Sequence, residues 1–261
     1  GALWCLWFDK VMPKESAEDI HKTDYGSQSA EVELHDAGGG EGGEKTPWGL
    51  FLRSKPIRAL TFVHFCNNWA VYSILSWLPT FYKESLDVDL QGAAHLALLP
   101  PIVAVLVSAF AAPLADELIG WGVPVTKVRK AMQIIAFACP AACMLTCLVS
   151  DDQNLSTWLL PIGIGLQAFS LAGLYCNHQD LSVRYASILL AMTNIFGSLP
   201  GVIGVPFTGW LLDLTDSWTI SLFAPCLFFY AAGGFVYLKF GSAVPLVLDA
   251  QDQEETGQSV N

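Results

Sequence analysis

Three side chains with acid–base chemistry crowd one short stretch of the chain. His178, Asp180 and Arg184 lie in Cys-Asn-His-Gln-Asp-Leu-Ser-Val-Arg-Tyr-Ala-Ser, Cys176 to Ser187. An imidazole and a carboxylate so close in sequence can act as a general acid–base pair, and with a guanidinium beside them they can equally latch a loop by ion pairing. No nucleophile, metal quartet or phosphate loop accompanies them, which counts against hydrolytic chemistry. A second set is uncharged at neutral pH: His64, Asn67, Asn68 and Tyr72. The spacing of His64, Asn68 and Tyr72 is i, i+4, i+8, and Asn67 lies on the neighbouring arc, so one face of a helix is polar. In an otherwise apolar segment such a face either lines the path of a polar solute or bonds helix to helix.

Both sets sit in a setting that only a membrane explains. Trp158 to Tyr175 carries no charge, and neither does Tyr185 to Leu212. Two runs of near-spanning length joined by a tight polar connector make a transmembrane helical hairpin. Four further runs precede and follow, giving six: Ala59–Tyr82, Gly92–Leu118, Ala131–Val149, Trp158–Tyr175, Tyr185–Leu212 and Ile220–Phe240. Composition agrees. Of 261 residues, 53% are hydrophobic and only 14% charged, with mean hydropathy +0.44, against about 25% charged in a soluble domain. The class is therefore an all-α, multi-pass integral membrane protein.

The charges give the topology. Lys45, Arg53, Lys55, Arg58, Lys127, Arg129, Lys130, Arg184 and Lys239 fall on one set of alternate connectors. The other set carries Lys83 among Glu84, Asp87, Asp89, Asp151, Asp152, Asp213 and Asp216. Basic residues collect in cytoplasmic loops, so the first set marks a cytoplasm-like face. Trp48, Phe51, Trp77, Phe81, Tyr82, Trp121, Trp158, Trp210 and Trp218 stand near span ends as aromatic belts would. The net charge of −11 comes from polar segments: nine carboxylates lie between Glu15 and Glu44 and four between Asp249 and Glu255. Nothing basic enough for nucleic acid is present. The resulting organisation is the end of a preceding span at 1–8, a largely disordered cytoplasmic linker at 9–57, a six-helix bundle at 58–241 and a disordered acidic cytoplasmic tail at 242–261. Cys139, Cys143 and Cys147 share a helix face with no His or carboxylate among them, which reads as packing rather than a metal site.

Other interior polar residues are few: His95, Gln133, Gln167, Thr193 and Asn194. Asn194 sits in the span richest in helix-disturbing residues, Gly197, Pro200, Gly201, Gly204 and Pro206. Gly197 to Gly201 is a GxxxG, a close-packing signal, and with two prolines it suggests a helix that bends beside a binding site. No Lys or Arg lies deep in a span. The positive charge that would balance an anion must come from another part of the protein, from a protonated His64 or from the positive ends of broken helices.

These motifs resemble a known family. A carboxylate-and-base loop, Leu114-Ala-Asp-Glu followed by Lys127-Val-Arg-Lys, lies between the second and third spans. It resembles the loop of the major facilitator superfamily, and the order of linker and six spans is similar to the C-terminal half of its twelve-helix fold. Asn177-His-Gln-Asp-Leu-Ser-Val-Arg-Tyr-Ala-Ser, Phe65-Cys-Asn-Asn-Trp, Ser76-Trp-Leu-Pro-Thr-Phe-Tyr and Leu222-Phe-Ala-Pro narrow the likeness to the anion:cation symporters. That family includes sodium–phosphate cotransporters, sialin and vesicular glutamate transporters, and the chain looks most like its plant and algal plastid branch. The chain departs from the pattern in two places. Asn67 stands where glutamate carriers have Arg, which argues against glutamate. Ala112 stands where the superfamily loop has Gly.

The resemblance implies a secondary transporter of inorganic phosphate or a related anion, coupled to Na+ or H+ and working by alternating access. The other N-terminal six-helix half would be its partner, and the plastid envelope or another organelle membrane its location. No further cofactor is implied. His64, Asn67, Asn68, Tyr72, Gln167 and Asn194 would line the substrate pathway. Asp116, Arg129, Lys130, His178, Asp180 and Arg184 would form cytoplasmic gates, with Asp116 and Arg129 latching one loop. A membrane-embedded enzyme using His178 and Asp180, or a non-transporting receptor or assembly half, are the alternatives.

Overall fold

A computed structural model of the chain describes residues 46–85, 90–150 and 152–246, and these residues are mostly helical with no strand. Residues 1–8, the linker up to residue 45 and the tail beyond 246 lie outside them. The first span is one helix, Lys55–Ser85. The second is Leu99–Gly120, preceded by the short helix Leu90–Leu96; the third is Val125–Val149. The fourth runs from Asn154 to Leu181, the fifth is Ala186–Thr215, and the sixth is Thr219–Phe240.

All but the first combine spanning length with high hydropathy. The first is the longest, at 31 residues, or about 46 Å at 1.5 Å per residue. Its hydropathy is low because His64, Asn67 and Asn68 sit in its middle, and all three are buried. A helix can afford polar groups at that depth when other helices surround it, and this one is the hub of the bundle. The larger core gathers along it, with Leu60, Val63, Trp69, Ile74 and Leu78 meeting Leu189, Leu222, Cys226 and Tyr230 of the fifth and sixth spans. A smaller core, including Ala111, Met132 and Phe169, ties the second, third and fourth spans. Outward faces stay apolar, as at Val105, Phe110, Val202 and Phe235. That surface suits lipid or another helical layer, not water.

Local chemistry explains the span ends. Asp152 caps the fourth span, its Oδ1 accepting from Asn154 N at 2.9 Å and Leu155 N at 3.3 Å. Gly122, at φ +85, makes the left-handed turn between the second and third spans, ahead of Pro124 at the next N-cap. Lys130 Nζ donates to the Leu238 carbonyl at 2.8 Å, satisfying one of the orphan acceptors at the end of the sixth helix.

Contacts sort the span ends into two sets. Phe51 stacks edge-on against Tyr185 at 5.5 Å, and Ala243 N donates to Thr126 Oγ1 at 3.0 Å. At the opposite end Tyr82 OH donates to the Thr157 carbonyl at 3.2 Å, and Trp77 and Trp218 meet at 6.1 Å. The helices therefore alternate in direction. By that alternation all described Lys and Arg residues except Lys83 lie at the first end.

Four expectations change. The stretch expected as linker up to residue 57 is helical in its described part: Trp48–Arg53 forms a short helix, and the first span begins at Lys55. The start of the tail is packed, with Leu246 N donating to the Leu181 carbonyl at 2.8 Å, because Ala243 and Leu246 are apolar and bury themselves. Phe51, Phe81 and Tyr82 are buried core rather than belt residues, while Trp48, Trp121, Trp158 and Trp210 stay exposed. The polar stretch from Cys176 is not all connector. The fourth span continues as a helix through Asn177–Leu181, leaving residues 182–185 to make the turn.

Candidate functional site

A groove of about 490 Å³ opens between the first, second, fourth and fifth spans. Asn67, Asn68, Tyr72, Gln167, Tyr175 and Asn194 give it hydrogen-bonding groups, and Val71, Pro101, Ile164 and Leu171 give it apolar wall. Among the described residues no charged side chain lines it.

The amides that reach the groove are also braced from behind. Tyr230 OH of the sixth span donates to Gln167 Oε1 at 3.1 Å. Gln167 Nε2 donates to the Asn67 carbonyl at 2.7 Å and to Asn67 Oδ1 at 3.1 Å. Asn67 Nδ2 donates to Asn68 Oδ1 at 3.3 Å, and Asn68 Nδ2 donates to the Gly197 carbonyl at 2.7 Å. One chain of bonds thus joins the sixth, fourth, first and fifth spans. These side chains bond helices together and present polar edges to the groove at once.

His64 is elsewhere. It is fully buried one turn before Asn68 and does not line the groove. Its Nδ1 lies 3.1 Å from Thr193 Oγ1, and its Nε2 lies 3.3 Å from Tyr175 OH. His178 Nε2 reaches the same Thr193 oxygen at 2.8 Å, and its Nδ1 lies 3.1 Å from the Tyr175 carbonyl. Two imidazoles therefore share one hydroxyl, and Tyr175 connects that cluster to the groove.

The fourth span brings these groups together by leaving α geometry. After Leu166 it passes through a 3₁₀ turn, Gln167–Phe169, then a π turn, Leu171–Tyr175, closed by Cys176 N donating to the Leu171 carbonyl at 3.2 Å. The extra residue of a π turn re-aims every side chain beyond it, and such turns gather at functional sites. Here it sets Tyr175 towards His64 and His178 towards Thr193.

The basic end holds an ion pair. Arg129 Nε donates to Asp180 Oδ2 at 2.6 Å, Arg129 Nη2 to Asp180 Oδ1 at 3.2 Å, and Arg129 Nη1 to the Ala172 carbonyl at 3.0 Å. The expected latch of Asp116 to Arg129 is therefore replaced: Asp116 is exposed, and the carboxylate within salt-bridge reach of Arg129 is that of Asp180. A forked guanidinium prefers the carboxylate it can meet with two parallel bonds. His178 and Asp180 do not form an acid–base pair either. One is buried on Thr193 and the other is held by Arg129. Arg184 lies over the Tyr185 ring at 5.4 Å.

The fifth span is unbroken from Ala186 to Thr215, with Pro200 and Pro206 inside it. Its glycines form a seam against the first span. A Cβ added at Gly197 would lie 2.7 Å from His64 Cδ2, at Gly201 3.3 Å from Tyr72, and at Gly204 3.2 Å from Ser73 Oγ. His95 is exposed on the short helix before the second span. Gln133 is fully buried, and its amide has no hydrogen-bond partner among the described residues. Tyr175, Tyr230 and the hub position of Thr193 were not among the sequence candidates. The available signal was weak: Tyr175 and His178 are three residues apart, and Thr193 precedes Gly197 by one turn.

Residues 1–204 match the family model described as Major Facilitator Superfamily. A rice protein (Oryza sativa subsp. japonica) named probable anion transporter 5, chloroplastic, is 42% identical, over 98% of this chain and 58% of the relative. An Arabidopsis thaliana protein named probable anion transporter 6, chloroplastic, is 46% identical, over 94% of this chain and 45% of the relative. The Arabidopsis sodium-dependent phosphate transport protein 1, chloroplastic, is 29% identical, over 95% of this chain and 48% of the relative. The chain thus spans about half the length of the curated relatives it matches.

Proposed function

The chain belongs to the major facilitator superfamily, and from that premise we propose that it is the C-terminal, six-helix half of a secondary transporter for inorganic phosphate or a related anion. The observation that carries this reading is the groove: amides and phenols from the first, fourth and fifth spans face one space of about 490 Å³ inside an otherwise apolar bundle. Uncharged donors can strip and replace the hydration of a small anion without trapping it by full charge pairing. The other six-helix half supplies the facing wall, and rocking of one half against the other exposes the site alternately to each side.

Asn67, Asn68, Tyr72, Gln167 and Asn194 contact the substrate in this reading, and His64 acts from behind them. The bidentate pair of Arg129 and Asp180, with Lys130 and Arg184 nearby in sequence, braces the basic end, which is the cytoplasm-like face. Relatives named as chloroplastic anion transporters, one of them a sodium-dependent phosphate transport protein, support an anion as substrate and the plastid envelope as the membrane. Full-length protein in liposomes, offered phosphate and a panel of organic anions under a Na+ or a pH gradient, tests the reading. Saturable, gradient-driven uptake of one of them is expected. No uptake and no exchange of any anion under either gradient would remove it.

A further inference from the structure

The geometry points to a proton site: Tyr175, His64, Thr193 and His178 form a relay that takes a proton from the groove and holds it on His178. The inference rests on the transporter reading and names its coupling ion.

One assignment satisfies every ring nitrogen of the cluster, with the Thr193 hydroxyl turned to His178 at 2.8 Å and not to the Leu190 carbonyl at 3.1 Å. The Tyr175 carbonyl can only accept, so His178 carries a proton on Nδ1, 3.1 Å away. In the neutral ring Nε2 is then an acceptor, and the Thr193 hydroxyl, 2.8 Å away, donates to it. With its one proton used, Thr193 Oγ1 accepts from His64 Nδ1–H at 3.1 Å. His64 Nε2 is then the acceptor for Tyr175 O–H at 3.3 Å. Every donor meets an acceptor, in one direction from the groove inward.

The same atoms satisfy the protonated state. A proton arriving from the groove binds Tyr175 Oη as that oxygen passes its own proton to His64 Nε2. His64 gives its Nδ1 proton to Thr193 Oγ1, and Thr193 gives its hydroxyl proton to His178 Nε2. One proton has entered and His178 is an imidazolium. Its Nε2–H now donates to Thr193 Oγ1, whose new hydroxyl proton donates to the bare Nδ1 of His64. His64 Nε2–H in turn donates to Tyr175 Oη, so every bond of the chain has reversed and each donor again meets an acceptor. The reverse hops release the proton to the groove. Because alternating access opens the groove to each side in turn, one door is enough.

The groups facing the relay are few. His64 meets the Tyr175 ring at 5.2 Å and the His178 ring at 6.3 Å. The fifth span presents Thr193, Gly197 and the Leu190 carbonyl, and Tyr72 of the first span shares the groove with Tyr175. The sixth span's Tyr237 hydroxyl bonds Asn177 and the Gly173 carbonyl instead of either imidazole. The charged neighbours are Arg129 on the third span and Asp180 two residues from His178, and they neutralise each other.

The test uses full-length protein in liposomes and compares phosphate accumulation driven by a pH gradient with phosphate exchange at equal pH. Thr193→Val removes the shared hydroxyl and keeps the shape; Thr193→Ser keeps the hydroxyl. Gradient-driven uptake is expected to fall on the order of tenfold or more in the valine variant, with exchange retained and the serine variant close to wild type. Equal loss of uptake and exchange, or no loss of either, would overturn the relay. So would a wild type that exchanges anion yet ignores the pH gradient, an outcome that leaves the transporter reading standing. If no anion moves at all, the transporter reading fails, and histidine NMR of the same protein still judges the cluster. The two imidazoles should titrate as a linked pair in the wild type and separately in Thr193→Val; independent titration in the wild type ends the proposal.

Discussion

The fourth and fifth spans flank the same groove and solve opposite problems. The fifth carries two prolines and four glycines between Gly197 and Gly209, yet stays helical throughout. The fourth changes to a 3₁₀ and then a π turn in a stretch that contains no proline. The difference lies in what each backbone meets. The fifth span's glycines admit side chains of the first span, and two of its carbonyls gain donors from that span: Gly197 O from Asn68 at 2.7 Å and Val205 O from Trp77 Nε1 at 3.0 Å. Its irregular composition serves close approach. The fourth span has its π-turn carbonyls held from outside, Ala172 O by Arg129 at 3.0 Å and Gly173 O by Tyr237 OH at 3.3 Å. Its irregular backbone serves aim, turning Tyr175 and His178 inward. In these two spans composition marks where helices touch, whereas tertiary hydrogen bonds hold the turn that leaves α geometry.

Breaking the external support of the π turn should have the largest effect. Arg129→Ala removes both the Asp180 pair and the bond to the Ala172 carbonyl, leaving a half-buried carboxylate without its partner. A loss of about 3 kcal/mol is expected, read as a lower midpoint of thermal unfolding in detergent. A variant as stable as wild type would mean that the π turn holds itself.

The seam of the fifth span comes next. Gly197→Ala places a methyl group 2.7 Å from His64 Cδ2, on a ring fixed by hydrogen bonds at both nitrogens. About 2 kcal/mol of destabilisation follows from overpacking. Gly201→Ala meets only Tyr72, at 3.3 Å, which is partly exposed and free to shift. The pair should therefore separate clearly in thermal stability, and equal effects would show that the seam is loose.

How much of this could be read from the chain differs by level. The spans, their alternation and the polar face of the first helix follow from hydropathy, basic-residue placement and i, i+4 spacing. The partners do not. Arg129 and Asp180 are 51 positions apart, and Asp116 looked the better match because it shares the loop motif. Thr193 looks like any lone hydroxyl in an apolar run until His64 and His178 converge on it from two other helices. The π turn leaves no mark in Leu171-Ala-Gly-Leu-Tyr, because its cause lies on the third and sixth spans.

The amides bridging the two spans to the first should give a smaller effect on stability and a larger one on transport. Asn68→Leu removes the bond to Gly197 and one polar edge of the groove. About 1 kcal/mol is expected for the lost interhelical bond, and substrate affinity should weaken in uptake kinetics. Stability loss with unchanged kinetics would leave Asn68 a helix bond only.

The smallest effect is expected at Pro206, and it separates the two accounts of the fifth span. Proline has no N–H, so the carbonyl four residues earlier, that of Val202, lacks its helical donor. Val202 is exposed on the outer face of the span. Pro206 is itself exposed, so changing it to alanine removes little packing and restores one backbone bond. If the span is a continuous rod seated by its glycines, Pro206→Ala should shift stability by no more than about 1 kcal/mol, upward if at all, and leave uptake kinetics unchanged. If the proline instead sets a bend that the transport cycle uses, stability should rise while turnover falls, because the straighter helix pulls Gly209 and Val205 away from Trp77, which they now meet. Measuring thermal midpoint and turnover on the same purified full-length variant distinguishes them, and a fall in turnover without loss of stability would return the bending role to the fifth span.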